Sequence, residues 1–199
     1  MMVDHHKLSQ KFVDINRKEF FGDINNDQWL DQFHIINLAD KYNISSIIAT
    51  GGNHHRLVTD IVDNKSVFVY DPLFTRNGNH HYMLNSNEIE NFVLTGDIRN
   101  KINPQEWYNY NYRSNLSLTD IENNINTKVA SSQFRNLSDI ISRIDNDYSI
   151  NLPELGKLQD DYHNCGILSL YAALVSNVYN NELKDKLNMN VLRYEGIIK

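Results

Sequence analysis

The chain has 199 residues, 41% of them hydrophobic, which suits one globular domain with a core of its own. Its net charge of −6 and its interspersed 22% of charged residues argue against a general binder of nucleic acid or anionic membrane. A single cysteine rules out an intramolecular disulfide, and no stretch approaches the ~18 apolar residues of a membrane span.

Residues 1–11 are polar, carry His5 and His6, and contain no apolar run of signal-peptide type. The expected setting is the cytoplasm, or a host cell entered as a secreted effector. The 29 asparagines point to a microbial or viral source. A short helix is expected over Leu8, Phe12, Val13 and Ile15. Asn26 or Asp27 can cap a second helix, whose stripe runs through Trp29, Leu30, Phe33, Ile36, Ala39 and Tyr42 and ends at Asn43. Residues 44–50 are apolar and β-branched, a buried strand broken by Gly51-Gly52. Residues 57–62 and 67–71 are two further strands, joined by a turn at Asp63-Asn64 into a hairpin.

Residues 76–131, rich in Asn, Tyr and Ser, read as a variable insertion with short helices over 88–94 and 119–125. Its aromatic cluster of Trp107, Tyr108, Tyr110 and Tyr112 is of the kind favoured at protein interfaces. Residues 132–144 pattern as an amphipathic helix and 149–158 as a weaker strand. Residues 166–179 are apolar on most of their circumference, the mark of a central, buried helix. The order implies an α+β domain, helices against a mainly antiparallel sheet.

Five residues are candidates for the chemistry, His54 and His55 being alternatives for one role. Cys165 stands directly before the buried helix, where the unpaired N–H groups and positive end of the helix favour thiolate, the nucleophilic form. Asp71 ends a strand and can orient a histidine base. His54 and His55 precede the partner strand. With a two-residue turn at Asp63-Asn64, Asp71 lies opposite Arg56, and His54 shares its face. A three-residue loop flips the parity and favours His55. Gln159, six residues before Cys165, can donate to an oxyanion. A metal site is not expected: the pairs His5–His6, His54–His55 and His80–His81 diverge, and there is no second cysteine. No cofactor is implied.

The segment from Gln159 to Gly166 resembles the Gln-x5-Cys-Gly signature of the ubiquitin-like-protein-specific proteases, the clan of SUMO proteases, the adenoviral maturation protease and several bacterial effector deubiquitinases. His54-His55-Arg56-Leu57 resembles their His-Trp-x-Leu, and Tyr70-Asp71-Pro72-Leu73 their strand ending in Asp-Ser-Leu. Trp29-Leu30-Asp31-Gln32 looks like the Trp-Leu-Asn-Asp near the start of these domains. The resemblance implies a papain-like variant whose central helix carries the cysteine against the sheet. It implies a catalytic set of Cys165, His54, Asp71 and Gln159, and a substrate channel involving Trp29, His55, Gly166 and Asn164. The implied substrate is ubiquitin or a ubiquitin-like protein, cleaved after its Gly-Gly tail. Two departures concern the channel and the substrate surface: His55 replaces the tryptophan, and residues 76–131 exceed the usual connection. An acetyltransferase of the same clan, a polyprotein-processing protease and a non-catalytic interaction domain are the competing readings.

Overall fold

The computed structural model describes residues 4–23, 28, 30, 32–73, 79–100, 132–134, 137–144 and 148–179. Helix α1 (His5–Phe21) begins at Asp4, whose carboxylate accepts from the Lys7 N–H at 3.0 Å. It ends at Gly22, in the left-handed conformation that closes many helices. Its inward face is Leu8, Phe12 and Val13, as the spacing implies, but the next turn buries Asn16 and Arg17 rather than Ile15. Helix α2 (Gln32–Tyr42) buries Ile35, Ile36, Leu38, Ala39 and Tyr42, and Asn43 ends it at positive φ.

Six strands follow: β1 (Ile47–Gly51), β2 (His54–Ile61), β3 (Ser66–Tyr70), β4 (His81–Asn85), β5 (Asn91–Leu94) and β6 (Ser132–Phe134). They form one sheet in the order β4-β3-β2-β1-β5-β6, every pair antiparallel. Two short helices, α3 (Gly96–Asn100) and α4 (Leu137–Arg143), precede the central helix α5 (Cys165–Tyr179). The fold is α+β.

Alternation along the strands divides the core in two. Ile48, Leu57, Tyr70 and Val93 point toward α1, α2 and α5. Ile47, Ala49, Val58, Val67, Val69, Phe92 and Leu94 point to the other face, where Ile98 of α3 and Leu137 and Ile140 of α4 cover them. Burial on both faces explains why Ile47, Ile48 and Ala49 are apolar without alternation. In α5, Cys165–Ser176 are all buried, as the apolar circumference predicts.

Three expectations fail. Residues 88–94 are not a helix: a single 3₁₀ turn (Ser86–Glu88) leads into β5, which lies between β1 and β6. A short apolar run such as Phe92-Val93-Leu94 has no period that separates strand from helix, and burial between two strands decides it. Residues 81–94 therefore belong to the sheet, and what begins as an insertion supplies two of its strands. The amphipathic stretch 132–144 splits into β6 and α4. Residues 149–158 make no strand, only a single bridge between Ser149 and Asp60. The helix expected over 119–125 and the aromatic cluster at 107–112 lie outside the described residues.

The β2–β3 hairpin also departs from expectation. The loop has three residues, Asp63, Asn64 and Lys65, closed by a Val62 N–H to Ser66 carbonyl bond of 3.1 Å. Near the loop Ile61 pairs with Val67 and Asp60 with Phe68. A bulge between Val58 and Asp60 then absorbs one residue, so Val58 pairs with Val69 and Leu57 with Tyr70. The bulge restores the parity that the longer loop would have flipped. Asp71 and His54 thus share a face.

Candidate active site

Three chain segments meet where β2 begins, β3 ends and α5 starts. Cys165 is the first residue of α5 and wholly buried. His54 Nε2 donates to Asp71 Oδ1 at 2.6 Å, and the imidazole lies near enough to Cys165 for the two to interact electrostatically. Asp71 thus holds His54 beside Cys165.

Asp71 has no exposed surface, so its charge must be met inside the protein. Oδ1 accepts from His54 and from the Leu73 N–H at 2.9 Å. Oδ2 accepts from the Tyr82 hydroxyl at 2.6 Å. The Arg56 guanidinium lies 3.8 Å from Oδ2, and its Nε donates to the Tyr82 oxygen at 2.7 Å. These bonds fix the carboxylate, and the carboxylate fixes the imidazole.

Burial alone would push the His54 pKa down. The bonds to Asp71 and Cys165, together with their charges, outweigh it and raise the value to about 9. Burial alone would likewise push the Cys165 thiol up. Hydrogen bonds from His54 and His55, and their charges, lower it to about 5. Near neutral pH the pair therefore stands as thiolate and imidazolium, the poised state of a nucleophilic cysteine.

The stretch leading to Cys165 is tied down by polar contacts. Asp161 Oδ1 accepts from the N–H groups of His163 and Asn164, each at 3.0 Å, and Oδ2 accepts from Asn164 Nδ2 at 2.7 Å. Burial works against this carboxylate, but those bonds lower its pKa. Asn164 Oδ1 accepts from the buried Arg17 Nε at 2.6 Å. Arg17 Nη2 also reaches the carbonyls of Gln28 and His163, at 2.8 and 3.3 Å. Helix α1 thus holds the segment that presents the nucleophile.

Gln159 is fully buried, anchored by its N–H to the Pro72 carbonyl at 2.9 Å. Its Nε2 donates to the Asp161 carbonyl at 2.9 Å, while Oε1 is buried without a hydrogen-bond partner. One amide proton is used in fixing the side chain; the second is left to give.

Comparison of the chain with protein-family models, with curated proteins and with solved structures gives no match.

Of the residues that the sequence singles out, Cys165, His54 and Asp71 come together. His55 is buried on the α5 face, with its backbone N–H 3.4 Å and its Nδ1 3.6 Å from the Cys165 sulfur. It also lines a cavity of about 190 Å³ together with Gln32, Thr50, Asn53, Glu90 and Asn91. Gly166 is needed for packing: a Cβ there would sit 3.1 Å from Ile35 Cδ1 and 3.4 Å from His55 Nδ1. Both ends of the Asn164 amide are taken by Arg17 and Asp161, so its side chain builds the loop and does not face a substrate. Trp29 lies outside the described residues. Among the described residues no cluster of His, Cys, Asp and Glu could hold a metal ion.

Tyr82, Arg17 and Asp161 were missed. Tyr82 pairs with Val69 across β3–β4, which places it diagonally beside Asp71, but that pairing is invisible once 76–131 is read as an insertion. The signal for Asp161 was present: an Asp two and three residues before the N–H groups it binds is an Asx turn at a helix entrance. Tyr82→Phe tests the Asp71 environment. It leaves Oδ2 without its hydroxyl donor and Arg56 Nε without its acceptor, and should cost ~1–3 kcal/mol in urea unfolding, the usual cost of stranding a buried polar group. A change below a few tenths would mean that Arg56 swings onto Oδ2 and replaces the hydroxyl.

Proposed function

We propose that this protein is a cysteine peptidase that cleaves after the Gly-Gly tail of ubiquitin or a ubiquitin-like protein. The observation that carries the peptidase reading is the His54–Asp71 hydrogen bond set beside the buried Cys165 at the head of α5. The ubiquitin-like substrate rests on the resemblance of the segments around Trp29, His54, Asp71 and Gln159–Gly166, which also suggests the papain-like type for the α+β fold.

In the proposed reaction the Cys165 thiolate attacks the carbonyl carbon of the last glycine. The oxyanion takes a hydrogen bond from the Cys165 N–H in the first turn of α5 and from the second amide proton of Gln159. His54, protonated, gives its proton to the leaving amine, and a thioester joins the glycine to Cys165. Water then attacks the thioester, with His54 taking its proton and returning it to the sulfur as the acid is released. Asp71 stays ionised throughout and holds the imidazole in the tautomer with Nε2–H.

A panel of ubiquitin and ubiquitin-like proteins carrying an electrophile at the C-terminus tests the reading. One or more should label wild-type Cys165 covalently, and the member that does names the substrate class. If none labels Cys165 while a small alkylating agent does, the ubiquitin-like substrate is wrong. Gln159→Ala should lower kcat by ~10²–10³ with a smaller change in KM, because the donor acts on charge that develops in the transition state. Loss confined to KM would make Gln159 a substrate contact instead.

A further inference from the structure

Two imidazoles leave β2 on opposite faces, and both reach the same sulfur. His54 and His55 are adjacent, so their side chains diverge, yet Cys165 stands at the strand end where both can reach it. His54 is committed by Asp71, whose Oδ1 lies 2.6 Å from its Nε2. His55 approaches from the α5 side. Its Nδ1 is 3.6 Å from the sulfur, and its backbone N–H points to the same atom at 3.4 Å.

We propose that His55 is a second catalytic imidazole, whose Nδ1–H donates a hydrogen bond to the Cys165 thiolate on the side away from His54. The proposal rests on reading Cys165 as a nucleophile and adds a role beside that of the base. No bond is made or broken by His55. It stabilises the charged sulfur before attack, and the hydrogen bond weakens as the sulfur turns from thiolate to thioester. The division of labour follows from the partners: the histidine bound to a buried carboxylate moves the proton, and the other solvates the anion. The same ring walls the cavity that contains Gln32, Asn53 and Glu90, so a substrate seated there packs against the group that holds the thiolate.

Among the described residues, His54, Asp71, Arg56 and Tyr82 lie on the opposite face, and Cys165 is itself the first residue of α5. Glu90 is exposed at the cavity; as an anion it opposes a neighbouring thiolate, so it does not account for the lowered thiol.

Titration of the single thiol tests the proposal. The ultraviolet absorbance of the thiolate is followed against pH, with Cys165→Ala as the blank. His55→Phe fills a similar volume without a donor, and should raise the inflection by about one pKa unit, tenfold in the ionisation equilibrium. His55→Asn restores a donor near the position of Nδ1 and should recover at least half of that shift. If the phenylalanine variant does not fold, His55→Leu takes its place as the donor-free side chain. An inflection unmoved in the donor-free variant, or raised equally in both, overturns the role for His55. The titration needs no substrate. Failure of every probe to label Cys165 would sink the peptidase reading and leave a shifted inflection standing, whereas normal labelling with an unmoved inflection would sink the His55 role alone.

Discussion

Cys165→Ala is expected to reduce turnover of a Gly-Gly-terminated substrate to background, a loss of ~10⁵–10⁶ in kcat, because no other side chain can form the acyl intermediate. The fold should survive. Cys165 is the first residue of α5, and its neighbours in that helix, Ile167, Leu168, Leu170 and Tyr171, hold the helix in the core without it. Alanine is also an excellent helix former. The measurement is a progress curve with wild-type and variant at equal concentration, alongside a thermal melt for each. The variant should still bind substrate, since recognition of a tail and of the protein behind it does not need the sulfur. Activity within tenfold of wild type would remove Cys165 from the chemistry.

The candidate site was legible because its signals are local and of different kinds. An apolar helix with a cysteine at its head, a strand ending in Asp, and a histidine pair opening the partner strand each follow from patterning and from chain punctuation. His54 shares a face with Asp71, as a two-residue turn at Asp63-Asn64 predicts, although the loop has three residues; the bulge between Val58 and Asp60 restores the register. Nothing in Val58-Thr59-Asp60 announces a bulge, since it arises from fitting β2 between β1 and β3 and not from local preference. The two strands hidden in 81–94 were illegible for a related reason. Phe92-Val93-Leu94 is too short to show a period, and β5 is built by its neighbours β1 and β6. With those strands unseen, Tyr82 could not be placed beside Asp71. The buried Arg17 escaped notice because an arginine four residues after Val13 reads as the solvent edge of an amphipathic helix. The carbonyls of Gln28 and His163 and the amide of Asn164 help make it an interior residue.

His54→Ala is expected to lower kcat/KM by ~10³–10⁴, the combined cost of losing the acid–base group and the cation that holds the thiolate. His55→Ala should stay within about tenfold of wild type at neutral pH. Raising a thiol from about 5 by one unit leaves it almost fully ionised there, so the cost of losing His55 appears only on the acid side. The pH profiles separate the two. In the wild type, kcat/KM should rise with pH as the thiol ionises near 5 and fall as the His54 imidazolium loses its proton near 9. Removing His54 takes away the group that titrates on the alkaline side, so that limb should vanish. It also takes away the positive charge beside the sulfur, so the acid limb should move up toward the ordinary thiol value. Asp71→Asn should sit between: the imidazole stays, but the carboxylate charge that favours its protonated form is gone, so the alkaline limb should move down. The opposite pattern, an inactive His55→Ala beside an active His54→Ala with both limbs intact, would exchange the two histidines and leave the bond from His54 to Asp71 as scaffolding.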